Sequence, residues 1–85
     1  MTERKEIRFI TIERAARRVG VDVRVVRHCV EVGLMDSELR DTDLAQLRRV
    51  RRLMGLGINL PGVEVILRMR RRIQELHEEL RRLER

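Results

Sequence analysis

The chain has neither tryptophan nor tyrosine, and a single phenylalanine, proline and cysteine among its 85 residues. Without aromatic rings it lacks the usual stacking platform for single-stranded RNA or DNA. Its core must be built from Leu, Val, Ile, Ala and Met. The lone Cys29 cannot close an intrachain disulfide, which suits a reducing cytoplasm. A small core residue is the plainer reading of this thiol, and sulfur-based redox sensing the sharper one. No apolar run approaches the ~20 residues of a membrane span, and no signal-peptide core opens the chain, so a soluble cytoplasmic protein without a membrane partner is expected. Two histidines and one cysteine, scattered over separate segments, make no metal-ligand spacing, and no nucleophile is paired with a base. The expectation is therefore no enzyme, no metal, no cofactor and no small-molecule ligand.

Lysine is also nearly absent, since nineteen of the twenty basic residues are arginine, and the formal charge is +6. Such a balance favours an anionic partner such as a phosphate backbone, although a charge-laced robust surface gives a similar count. Residues 8–58 hold eleven bases and seven acids, and residues 59–85 hold seven bases and five acids. The middle of the chain, with the larger surplus, is the better location for a nucleic-acid surface. At this length one domain is expected, small enough that association would help to bury its surface.

Read in order, Met1 to Glu6 is a polar, charge-mixed arm, and Ile7 to Ile10 has the alternation of a short strand or extended lead-in. Thr11 is a candidate N-cap, and Ile12, Ala15, Ala16 and Val19 recur at the spacing of a buried helical face that Gly20 ends. Asp22 caps a second helix, Val23 to Val32, with Val23, Val26 and Val30 inside and Arg24, Arg27, His28 and Glu31 outside; Gly33 stops it. Two helices joined by a tight glycine-containing turn make the pattern of a helix-turn-helix, whose second helix enters the major groove of DNA. Leu34 and Met35 return to the core, and Asp36 to Thr42 is a polar connection. A third helix begins near Asp43, capped by Thr42 or Asp41, with Leu44, Leu47, Val50, Leu53 and Met54 inward and Arg48, Arg49, Arg51 and Arg52 outward. Gly55 and Gly57 break it.

The last third organises the rest. Asn59 is a candidate cap, Pro61 fits the first turn, and no glycine or proline interrupts Val63 to Arg85. Ile66, Met69, Ile73, Leu76, Leu80 and Leu83 alternate steps of three and four, the spacing of a helix that seams against another helix. Val63 to Met69 is expected to pack on the domain while Ile73 to Leu83 meets a partner, most simply a second copy. The block Arg68, Arg70, Arg71 and Arg72 is read as setting solubility and partner orientation, with pairs such as Arg71 with Glu75 or Glu78 with Arg82 along the helix. A division into a head, residues 1–58, and a dimerisation helix, residues 59–85, follows.

The stretch GVDVRVVRHCVEVGLM (Gly20 to Met35) resembles the helix-turn-helix of the MerR superfamily. RRVRRLMGLGINLPGVEVILRMRRRIQEL (Arg48 to Leu76) is similar to the second half of two of its branches, the HspR-type heat-shock repressors and the CbpM-type chaperone modulators. The most specific part is LGINLPGVEVIL (Leu56 to Leu67). The resemblance implies an all-α fold with a long C-terminal coiled-coil helix and, in the DNA-binding branch, an antiparallel dimer. There the recognition helix, a β-hairpin wing and the following helix contact DNA, and Arg27 stands where that branch places its recognition-helix arginine. In the other branch, relatives bind the J-domain of a DnaJ-like co-chaperone. The chain departs from the DNA-binding pattern in two places. His28 and Cys29 stand where an aromatic pair is usual, and seven residues, three of them acidic (Asp36, Glu38 and Asp41), replace a basic wing.

Two functions of different classes remain open. The first is a homodimeric transcriptional regulator of stress genes on double-stranded DNA, with Arg24, Arg27 and His28 toward the groove and Arg17, Arg18, Arg48, Arg49 and Arg52 on phosphates. The second is an adaptor that offers the same surface to a J-domain protein. Charge and the arginine-bearing second helix favour DNA; the missing wing and aromatic pair favour the adaptor. For every one of these arginines the plainer reading is a solvated helix face.

Overall fold

The computed structural model describes residues 8–84, so the arm read over Met1 to Glu6 and the first residue of the expected strand, Ile7, lie outside the described residues. Four helices follow one another: α1 (Ile12–Val19), α2 (Val23–Glu31), α3 (Asp41–Gly55) and α4 (Leu60–Leu83). Among the described residues there is no strand. The lead-in makes only an isolated antiparallel bridge, in which the Ile10 N–H donates to the Leu39 carbonyl at 2.7 Å. The fold is all-α, and the link between α2 and α3 carries no hairpin wing.

Local chemistry sets most helix ends. The Thr11 hydroxyl accepts from the Arg14 N–H at 3.1 Å, the Asp22 carboxylate from the Arg24 N–H at 2.8 Å, and the Asn59 side chain from the Gly62 N–H at 2.9 Å. Each satisfies an amide that the first helical turn leaves without an intrahelical partner. α2 closes on Gly33 at φ 79°, where the Leu34 N–H donates to the Cys29 carbonyl and the Gly33 N–H to that of Val30. That pair of bonds requires a left-handed residue, which a side chain would strain. α3 closes in the same way on Gly57, at φ 90°. Its start differs from the expectation. The helix begins at Asp41 with Arg40 as its cap residue, because the Asp43 carboxylate reaches back to accept from the Arg40 N–H at 2.8 Å. Thr42 and Asp41 are inside the helix rather than before it.

The core gathers Ala15, Ala16 and Val19 of α1, Val26 and Cys29 of α2, Leu34, Met35 and Leu39 of the link, Leu44, Leu47 and Val50 of α3, and Val63 and Leu67 of α4. The inner face of α2 is thus centred on Val26 and Cys29, while Val23 and Val30, expected inside, are half-buried at its margins. Leu39 is fully buried within a link that otherwise reads as polar. Its side chain pins the link where a hairpin would otherwise project.

α4 departs from the expected packing. Only Val63 and Leu67 enter the core, whereas Ile66 and Met69 are exposed together with Ile73, Leu76, Leu80 and Leu83. At about 100° per residue, Val63 and Leu67 lie on one side of the helix and the six-residue stripe on another, so the stripe stays out of the core from its first residue. The Cα radius of gyration is 15.3 Å, against about 12 Å for a compact domain of this length. The outer part of α4 accounts for the excess.

Candidate nucleic-acid interface

α1 and α2 are held together through Gly20, whose left-handed φ of 82° turns the chain between them. α2 buries Val26 and Cys29 and throws Arg24 and Arg27 outward, both exposed. Arg24 folds back on the cap of its own helix, donating from Nε to Asp22 Oδ1 and from Nη2 to Asp22 Oδ2, each at 3.0 Å. These bonds hold the Asp22 carboxyl at about 2, well below the ordinary carboxylate range. Arg27 makes no hydrogen bond or ion pair among the described residues.

His28 is placed differently from the two arginines. Half-buried, it faces α4, with Nε2 3.6 Å from Glu64 Oε1, and Glu64 also lies 3.6 Å from Arg68 Nε. The imidazole therefore sits at the seam between α2 and α4 rather than on the open face with Arg24 and Arg27.

The arginines of α3 divide into two sets. Arg48, Arg51 and Arg52 rim one surface concavity. The Arg51 guanidinium approaches the turn between α1 and α2, its Cζ being 3.8 Å from where a Cβ on Gly20 would stand. Arg17 and Arg18 occupy the last turn of α1, which ends at that same glycine, and Arg18 Nη1 lies 3.6 Å from Asp41 Oδ1. A basic edge thus runs from the end of α1 to the middle of α3. Arg49 is not part of it. Its Nη1 donates to Gln46 Oε1 at 3.2 Å, and the side chain lines a groove between α3 and α4 with Leu53, Ile66, Met69 and Ile73. Arg51 belongs to the edge although only its neighbours were singled out as phosphate ligands. The signal was present in the spacing, since Arg48, Arg51 and Arg52 stand at i, i+3 and i+4 on one helical face.

The basic block of α4 has a role that its sequence did not disclose. Arg68 Nη2 donates to the Val32 carbonyl at 2.7 Å, and Arg71 Nη2 to the Leu34 carbonyl at 3.4 Å. Both carbonyls lie at or just past the end of α2, where backbone acceptors lack helical partners and a cation also complements the helix dipole. Two of the four arginines therefore fasten α4 to α2. The expected pair of Arg71 with Glu75 is replaced by Arg72 with Glu75, at 3.3 Å.

Cys29 is fully buried, and burial, with Glu64 adding to it, pushes its thiol up to about 11. A thiol held in that state is a packing residue, so the redox reading loses its chemical basis. Among the described residues no group of three or more His, Cys, Asp or Glu side chains could hold a metal ion, and no helix is long and apolar enough to cross a membrane.

A glycine-turned helix pair with arginines on the outer face of its second member, set on a long helix, defines a helix-turn-helix protein. A match to the MerR HTH family regulatory proteins extends over residues 10–85, and the chain belongs to that family. Among curated proteins and solved structures, none matches the chain.

Proposed function

We propose that the protein is a MerR-type transcriptional regulator that binds double-stranded DNA as a homodimer and acts on stress genes in the manner of the HspR-type repressors. The observation that carries this reading is an arginine-bearing α2 flanked at its entry turn by an arginine of α3. Arg24 and Arg27 lie on the outside of α2, and Arg51, which rims one concavity with Arg48 and Arg52, approaches the Gly20 turn from α3. α2 enters the major groove, and Arg17, Arg18, Arg48, Arg51 and Arg52 hold phosphates on its flank. A regulatory protein of this kind works without catalysis, in the cytoplasm.

Residues 1–58 act as the reading head and residues 59–85 as the dimerisation helix. The exposed row Ile66, Met69, Ile73, Leu76, Leu80 and Leu83 supports this: its first three residues line only an open groove beside α3, and Leu76, Leu80 and Leu83 are exposed beyond it. An antiparallel pairing brings the basic Arg70–Arg72 of one helix beside Glu75, Glu78 and Glu79 of the other, whereas parallel pairing sets like charges together.

A second reading, a CbpM-like modulator that binds the J-domain of a DnaJ-type co-chaperone, is favoured by one observation. The link between α2 and α3 is pinned by Leu39, lacks a hairpin and exposes Asp36 and Glu38, which repel phosphates. Titration of the protein with duplex DNA at rising salt separates the two. On the DNA reading log K falls linearly with log salt, with a slope on the order of −4 if five arginines each neutralise one phosphate. Negligible duplex binding at low salt, with stoichiometric binding of a purified J-domain, transfers the function to the adaptor.

A further inference from the structure

The deeper inference concerns how one arginine of the α2 face differs from the other, and it rests on the DNA-binding reading above. Asp22 does more than cap α2. Its Oδ1 accepts both the backbone N–H of Arg24 at 2.8 Å and the Nε–H of the same residue at 3.0 Å, while Oδ2 accepts from Nη2 at 3.0 Å. Two parallel bonds between a carboxylate and a guanidinium fix the plane and direction of the fork. The side chain of Arg24 nevertheless remains 84% exposed.

A guanidinium carries five N–H donors. Asp22 engages Nε and one hydrogen of Nη2, which leaves the other Nη2 hydrogen and one on Nη1 side by side along the outer edge, with the second Nη1 hydrogen turned back beside the side-chain stem. That edge offers two parallel donors to whatever lies in front of the helix. A neutral guanine presents matching acceptors, O6 and N7, in the major groove. A phosphate gains less from the same edge, because the adjacent Asp22 carboxylate offsets part of the attraction, whereas a neutral base is not repelled by it. Arg27, three residues on, has no such hydrogen-bonded partner among the described residues, although it lies within electrostatic reach of the same carboxylate.

We propose that Asp22 is a positioning residue that makes Arg24 a guanine reader at the entry to α2, and leaves backbone attraction to unpaired arginines such as Arg27. The carboxylate sets a direction that the free side chain, with its many rotamers, would not hold.

The capping and positioning roles are separable, because asparagine caps a helix as well as aspartate does but cannot form the charged fork. Asp22→Asn and Arg24→Lys are compared with the full-length wild type. Duplexes are first selected from a randomised pool by the wild type, then titrated as selected and with each guanine exchanged in turn. The wild type should prefer guanine at one position by on the order of tenfold or more, the span of a good bidentate contact. Arg24→Lys, which keeps the positive charge but not the planar fork, should erase that preference, weakening binding to the selected duplex more than to unselected duplex. Asp22→Asn should keep the helical circular dichroism of the wild type and, with one negative charge fewer, bind unselected duplex at least as tightly, yet reduce the preference at that same position by at least about threefold. A full preference in Asp22→Asn, or no position sensitive to Arg24→Lys, overturns the assignment while leaving DNA binding intact. Absence of any duplex binding by the wild type at low salt overturns the DNA reading and this inference with it.

Discussion

Leucine meets opposite fates in the two halves of this molecule. In the head, Leu39 and Leu47 are fully buried, whereas along α4 Leu76, Leu80 and Leu83 are 45%, 56% and 82% exposed. The spacing is not what differs, since Leu44, Leu47 and Val50 on α3 recur in steps much like those of Leu76, Leu80 and Leu83 on α4. What differs is the presence of something opposite. The head is closed by contacts among α1, α2, the link and α3, with Val63 and Leu67 of α4 completing its core, while the outer part of α4 has helical backbone bonds and the surface pair Arg72–Glu75. A helical repeat thus states that a face is to be covered, and only the tertiary structure states by what.

The sharpest way to break this comparison is to damage each half separately. Leu47→Ala should lower the unfolding free energy by about 2–5 kcal/mol, the cost of a cavity in a closed core. Urea unfolding should show the same loss at every protein concentration. The pair Leu76→Asp with Leu80→Asp should leave the head folded yet weaken self-association by at least about a hundredfold, roughly 2.7 kcal/mol. Sedimentation and the concentration dependence of Tm report it. Identical sedimentation of this variant and the wild type as monomers would show that the outer helix needs no second copy.

Two smaller effects sharpen the boundary between the halves. Arg68→Ala removes the donor at the Val32 carbonyl and should cost about 1 kcal/mol. Amide exchange near the end of α2 should accelerate more than exchange in α3. The smallest effect is electrostatic. The Asp22 carboxyl sits at about 2 when folded, below its ordinary value of 3.8. A depressed carboxyl contributes stability that is complete above its unfolded value and is lost as pH falls through the folded one. The difference in stability between wild type and Asp22→Asn should therefore be constant above about pH 5 and vanish near pH 2.

How much of this was legible depended on how far each interaction reaches along the chain. Thr11, Asp22 and Asn59 were readable as caps because their acceptors serve amides two or three residues away, and Gly33 and Gly57 because the left-handed turn needs them. Leu39 gave no signal, being a single apolar residue among charged residues and a serine, and its burial depends on the fold and on Ile10, 29 positions earlier. The destinations of Arg68 and Arg71 were hidden for the same reason. Their acceptors lie 36 and 37 residues upstream, and helical spacing describes only neighbours on the same helix. Asp22 was recognised as a cap but not as the partner of Arg24, because side chains two apart within a helix do not face each other; the cap residue, still extended, escapes that rule. The division of the α3 arginines followed from where α4 crosses, which placed Arg49 in a groove and left Arg48, Arg51 and Arg52 on the open edge.

The uninterrupted run of α4 makes that helix a ruler. Its 24 residues span about 36 Å without a glycine or proline beyond the first turn to bend them. When two such helices lie side by side in opposite directions, the gap between their heads is a matter of register alone. Slipping the match by seven residues moves the heads by about 10 Å, roughly a third of a turn of duplex DNA. The choice of which leucine meets which then decides how far apart two binding sequences must stand.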